Sequence, residues 1–115
     1  MPSSTVYNTA NGLVYVSNSG SNTVSVLNTT TNSLVDVIPV GAGPNGIAYN
    51  PNDDKVYVTN SISGTISVIN GSSNTVTTIT VGKTPIGIIY NPVSNSVYVA
   101  NSGSNIVTVI RENNP

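Results

Sequence analysis

Histidine and cysteine are both absent from the 115 residues, and with them goes most of the chemistry an enzyme could use. Without cysteine there is no disulfide framework, no thiolate metal site and no cysteine nucleophile. Without histidine, the commonest general base and the commonest neutral metal ligand are missing together. Charge is nearly as scarce: Lys55, Lys83 and Arg111 are the only cations, and the net charge is −1. Such a chain cannot neutralise a run of phosphates or lie on an anionic membrane, so neither nucleic acid nor a membrane surface is an expected partner. No apolar run approaches the roughly 18 residues of a membrane span. The opening MPSSTVYN has neither the charged nor the apolar region of a signal peptide. With charged residues at 6% and hydrophobic ones at 37%, solubility is left to Asn, Ser and Thr, and a highly charged disordered tail is excluded.

What the chain does have is repetition. VYVSN begins at Val14, VYVTN at Val56 and VYVAN at Val97, spacings of 56 − 14 = 42 and 97 − 56 = 41. NTVSVLN from Asn22, GTISVIN from Gly64 and NIVTVIR from Asn105 keep the same offsets. VGAGPNGIAYNP from Val40 returns as VGKTPIGIIYNP from Val81, and the partial copy VYNTANG at Val6 sets Tyr7 beside Tyr49 and Tyr90. All six tyrosines fall on the repeat.

Within a copy, short runs rich in Val, Ile, Thr and Tyr are separated by Gly, Asn, Ser and Pro, which predicts strands and no helix. In the middle copy the four strands are expected near Gly46–Tyr49, Lys55–Asn60, Thr65–Asn70 and Thr75–Val81. The first is apolar throughout and should be inner; the fourth carries Thr77, Thr78 and Thr80 and should be outer. Val14 and Val16 face one side of their strand and Tyr15 the other, so both faces call for neighbours. A period of about 40–45 residues with four antiparallel strands per unit is that of a β-propeller blade, and one such sheet buries too little to stand alone. The expected class is therefore all-β: a single propeller segment with blades at about 4–40 and 41–81 and a partial third at about 82–111, stacked face to face, rather than a flat two-sheet sandwich.

VYVSN, VYVTN and VYVAN, with the VG-x-x-P-x-G-I approach, the YNP turn and the N-x-VSVI segment, resemble the YVTN repeat of β-propellers in prokaryotic surface and exported proteins. The resemblance spans nearly the whole chain and implies an extracellular or cell-surface setting and a structural or interaction role. It leaves open that the chain is a piece of a propeller enzyme, lactonase-like or cofactor-bearing, whose catalytic residues lie elsewhere, or an engineered propeller fragment. The chain departs from the pattern by opening in a first strand and ending in a third: 4 + 4 + 3 = 11 strands. A closed propeller typically takes about four to eight blades. One copy is thus expected to be part of a longer protein, or to complete a ring or a filament with other copies of itself.

No residue is expected to be catalytic and no cofactor is expected. Asn52, Asp53 and Asp54 form the only acidic cluster, in the turn NPNDDK, where side-chain oxygens could hold a hard cation. Adjacent carboxylates point apart and the equivalent turns carry no acid, so a solvated turn is the preferred reading and no metal is expected. The abundant serines of NSGSN and NSISG lack a positioned base and read as turns. Asn18, Asn60 and Asn101 end the second strands, where they can bond backbone of the turn. Pro44, Pro51, Pro85 and Pro92 shape corners, and the tyrosines read as packing between blades. The turns sharing one end of the blades gather Lys83, Ile62, Asn45 and Thr84, the candidate interaction face. The last strand, with Asn105, Val107 and Val109, should present a bare edge that pairs with a further strand. At the opposite end, Asn28 and Asn70 begin the glycosylation sequons NTT and NGS.

Overall fold

The computed structural model describes residues 1–112. Eleven strands follow one another: β1 (Pro2–Asn8), β2 (Leu13–Asn18), β3 (Thr23–Asn28), β4 (Ser33–Pro39), β5 (Pro44–Asn50), β6 (Lys55–Asn60), β7 (Thr65–Asn70), β8 (Val76–Thr80), β9 (Pro85–Asn91), β10 (Ser96–Asn101) and β11 (Ile106–Arg111). Each pairs antiparallel with its sequence neighbour inside a meander, giving sheets β1-β2-β3-β4, β5-β6-β7-β8 and β9-β10-β11. The expected class holds, and the expected middle strands lie within one or two residues of β5 to β8. The first strands β1, β5 and β9 run beside one another, which makes them the inner strands.

The hairpins turn on one backbone device. Residues with positive φ recur at repeat-equivalent positions: Gly12, Asp54 and Asn95 after the first strand of each sheet; Asn22, Gly64 and Asn105 after the second; Asn32 and Asn74 after the third. Gly, Asn and Asp are the residues that enter this region at least cost, which is why they interchange there. Asn105 therefore sits in the turn before β11, not in the edge strand where the sequence placed it. Asn8, Asn50 and Asn91 each close the following turn, their Oδ1 accepting the N–H of Ala10 (2.8 Å), Asn52 (2.9 Å) and Val93 (2.9 Å).

Of Asn18, Asn60 and Asn101, Asn101 bonds backbone as expected, donating to the Ile106 carbonyl (3.0 Å) and accepting the N–H of Gly82 (3.2 Å), but all three share a further bond. Their amides reach across the hairpin to hydroxyls of the third strand: Asn18 Nδ2 to Ser25 Oγ (2.8 Å), Asn60 Nδ2 to Ser67 Oγ (2.9 Å) and Asn101 Nδ2 to Thr108 Oγ1 (2.8 Å). The YVxN motif and the hydroxyl of the third strand are thus one hydrogen-bonded unit, and Asn60 and Ser67 are buried with it.

The apolar core is two seams between sheets. In the first, Tyr15, Val24, Val26 and Ile38 of one sheet meet Val56, Val58 and Ile69 of the next. In the second, Tyr57 and Ile66 meet Val97 and Val99. The seams follow from strand periodicity: the valines of VYV point forward to the preceding sheet and the tyrosine points back to the following one. Among the described residues β6 is the strand most fully covered on both faces, with Val56, Tyr57, Val58 and Thr59 all at 0% exposure, and its neighbour β7 enters both seams through Ile69 and Ile66.

Candidate functional site: seams, open faces and turns

The interior seams define what a sheet face needs. Besides its apolar contacts, each seam carries two polar ties at equivalent places. Ser17 Oγ donates to the Asn45 carbonyl (2.7 Å) across the first seam, and Thr59 Oγ1 to the Ile86 carbonyl (3.0 Å) across the second. Asn8 Nδ2 donates to Asp54 Oδ1 (3.0 Å), and Asn50 Nδ2 to Asn95 Oδ1 (3.3 Å). A glycine makes room where the second seam is tightest: a Cβ on Gly46 would collide with the Ile86 carbonyl oxygen.

Two faces have no partner among the described residues. At the front, β2 and its neighbours present Tyr7, Val14, Val16 and Leu27, the equivalents of Tyr49, Val56, Val58 and Ile69. At the back, the third sheet presents Gly87, Ile89, Tyr98, Ala100, Val107 and Val109, placed on one face by the pairs Tyr98↔Ile89, Tyr98↔Val109 and Ala100↔Val107. Ile89 is 65% exposed and Val107 64%. A groove of about 370 Å³ runs over this back face, lined by Gly87, Ile88, Ile89, Tyr98, Val99, Ala100 and Val107. Strand β11 also has a bare edge, pairing with β10 alone. The exposure of Val107 and Val109 comes from the open face as well as from the open edge, a distinction invisible before the register was known.

The acidic turn is built into the first seam. Asp54 Oδ1 accepts from Tyr49 Oη (3.1 Å) as well as from Asn8, while Asp53 Oδ2 accepts from Asn50 Nδ2 (3.1 Å). Asn52 reaches a third direction, its Nδ2 donating to Tyr90 Oη (3.1 Å). The three side chains diverge, each tied to a different partner. Burial and the neighbouring Asp54 carboxylate raise the Tyr49 phenol above its ordinary pKa.

One cluster was not anticipated. Glu112, just after β11, reaches back over the second seam, pairing with Lys55 Nζ (3.0 Å) and accepting the hydroxyl of Tyr57. Its N–H bonds the Asn95 carbonyl (3.0 Å), and its own carbonyl accepts from Asn95 Nδ2 (3.1 Å). Burial first, then the Glu112 carboxylate, pushes the Tyr57 phenol far above its usual range. The repeat offset sets Glu112 at the place of Gly71 (112 − 71 = 41), whose carbonyl accepts from the Asn11 amide that also donates to the Tyr15 hydroxyl; that register was the available signal. Beside the cluster is a groove of about 330 Å³ lined in part by Lys55, Thr77, Arg111 and Glu112.

The candidate interaction face is partly assembled. Ile62, 79% exposed, Lys83 and Thr84 line one depression of about 480 Å³ with Ser61, Ser104 and Ile106. Asn45 is elsewhere: it lies in the first seam, where its carbonyl receives Ser17. Asn28 and Asn70 hold their own turns, accepting from the N–H of Thr30 (2.8 Å) and Ser72 (2.9 Å).

No protein-family model and no curated protein matches the chain in sequence. Solved structures do match in shape. The chain is similar to hydrazine synthase of Kuenenia stuttgartiensis, with a TM-score of 0.81 and 28% identity over 88% of this chain and 30% of that one. It is similar to a putative 6-phosphogluconolactonase of Bacteroides fragilis, with a TM-score of 0.82 and 17% identity over 97% of this chain and 35% of the other. It is also similar to the dihydro-heme d1 dehydrogenase NirN in complex with DHE, with a TM-score of 0.78 and 15% identity over 99% of this chain and 25% of that one. The chain thus spans about a quarter to a third of the length of these structures. They are β-propellers, and the three stacked four-, four- and three-stranded sheets of this chain have the same architecture.

Proposed function

We propose that the chain is a structural, interaction-bearing segment of a YVTN-type propeller belonging to a cell-surface or secreted protein, and that it works by joining further sheets through its open faces and bare edge. The observation that carries this reading is the contrast between β6, sealed on both sides, and the apolar back face of the third sheet, which has the same pattern and no cover. The uncharged, Asn-, Ser- and Thr-rich composition suits a stable module outside the cell, and no His or Cys is present to drive hydrolysis or redox chemistry.

A second reading, a portion of a propeller enzyme, takes its support from the enzymes among the similar structures. Two measurements decide. A labelled peptide with the sequence of residues 74–81, which spans β8, should add to the β11 edge as β8 adds to β7, and a version with proline in place of Thr77 and Ile79 should not. Lactone and ester hydrolysis, with and without divalent metal ions, should stay at the buffer rate. Turnover that is lost on substituting Glu112 or Lys55, or failure of the edge to take the peptide, would count against the structural role.

A further inference from the structure

We infer that the back face around Tyr98 and the front face around Val14 dock on each other between two copies of this chain, head to tail, in the register of the internal seams. The inference rests on the structural reading above and names the partner: a second copy. Every internal seam joins a back face bearing a tyrosine to a front face bearing two valines. The two unpartnered faces are the two halves of one more such seam. The residues that would meet are uncharged, Tyr7, Val14, Val16 and Leu27 against Ile89, Tyr98, Ala100, Val107 and Val109; the one charge on either face, Arg111, is paired with Ser96 at the rim of the back face, where it can stay in water.

Gly87 supplies an independent argument. It stands inside β9, where a glycine weakens a strand and usually marks close approach of another backbone. Its equivalent, Gly46, has such a neighbour in the Ile86 carbonyl, whereas a Cβ at Gly87 would meet only Ala100, at 3.7 Å. The room at Gly87 is room for the carbonyl of a following sheet. By the repeat offset (45 − 42 = 3) that carbonyl belongs to Ser3 of a second copy.

The copy-to-copy seam differs from the internal ones in lacking both polar ties. Ala100 stands where Ser17 and Thr59 donate, and Gly12 where Asp54 and Asn95 accept. The association is therefore weaker than an internal seam, reversible, and open to repair. Gly12→Asp has room, since nothing lies within 4 Å of a Cβ there; its φ of 72° carries some strain for a side chain, but in the region that Asp54 already adopts at 52°. The new carboxylate would receive the amide of Asn91 from the other copy, and Ala100→Ser would restore the hydroxyl.

Sedimentation velocity across micromolar concentrations tests this, with circular dichroism checking that each variant is folded. The wild-type mass should rise above the 11.8 kDa of one chain as concentration increases. Val107→Glu, at an exposed position compatible with folding, and Tyr98→Glu should each return it to the single-chain mass. Gly12→Asp with Ala100→Ser should tighten association by roughly tenfold or more, the gain from two hydrogen bonds. A single-chain mass at all concentrations in the wild type and the repaired variant overturns the inference, as does association that survives Val107→Glu and Tyr98→Glu. Neither result touches the structural reading, which stands or falls on the edge-peptide and hydrolysis measurements.

Discussion

Gly46 and Gly87 hold equivalent places in the repeat and differ in what a methyl group would meet there. At Gly46 a side chain would strike the Ile86 backbone, which cannot move without opening the second seam; at Gly87 the space is open. Gly46→Ala should therefore cost about 1–3 kcal/mol, the usual penalty of overpacking a tight contact. Gly87→Ala, measured in urea at concentrations where the chain is a monomer, should change stability by less than about 0.5 kcal/mol. Equal losses would mean that the crowding at Gly46 is relieved by a small shift of β9. Tyr57 offers a second test at this scale. Its phenol is held neutral by burial and by the Glu112 carboxylate, so the folded chain resists ionisation that the unfolded chain undergoes freely near pH 10. The unfolded state gains by losing that proton, and the folded state does not. Stability is then complete below about pH 10 and falls as pH rises beyond it. Denaturant midpoints between pH 8 and 11 should show this fall, and Tyr57→Phe should flatten it apart from the smaller share of Tyr49. An unchanged slope in Tyr57→Phe would place the effect elsewhere.

Among the strands, β6 differs from β2 and β10 in having both faces covered, though the three share the VYV core of their motif. Val58 is fully buried in the first seam, while Val16, its equivalent, looks out from the open front face and is only partly buried. Val58→Ala should lower stability by about 2–3 kcal/mol and Val16→Ala by clearly less in a dilute monomer, with chemical unfolding as the readout. The same comparison does not extend to the tyrosines. Tyr15 and Tyr57 are both at 0% exposure because each points back into a seam, so of the three VYV tyrosines the one without a seam is Tyr98, which is partly exposed. Much of this was legible beforehand. The offsets of 42 and 41 located the strands, and the alternation of Val and Tyr located the faces, because a strand has a period of two and a repeat has a fixed length. What escaped the sequence was whatever depended on register between sheets: that Asp54 belongs to a seam, that Asn45 lies apart from Lys83, and that Glu112 reaches Tyr57. Those contacts join residues 46, 28 or 55 positions apart on different sheets, and no local pattern encodes which turn of one sheet meets which turn of the next.

For the whole molecule, three stacked sheets behave as a short one-dimensional array in which each unit is stabilised by its own hairpins and by the seams on either side. The middle sheet has two seams and the outer sheets one each, so the ends should open before the centre. The two ends are not equal. The first sheet has four strands and a seam built from seven buried residues; the third has three strands, a bare edge and a seam to which it contributes only Val97 and Val99 as fully buried side chains. Glu112 works against this imbalance, clamping the end of β11 to Lys55 and Tyr57. Native-state amide exchange in a dilute monomer reads out the order. The slowest amides should lie in β6 and β7 around Tyr57 to Ser67, those of β2 and β3 should follow, and β10 and β11 should exchange through the lowest opening free energy. Glu112→Gln should speed exchange in β11 and β10 first while leaving β2 unchanged, because the clamp bears on the second seam alone. One common opening free energy for all three sheets would show instead that the array unfolds as a single unit, with the seams too strong for either end to part from the middle.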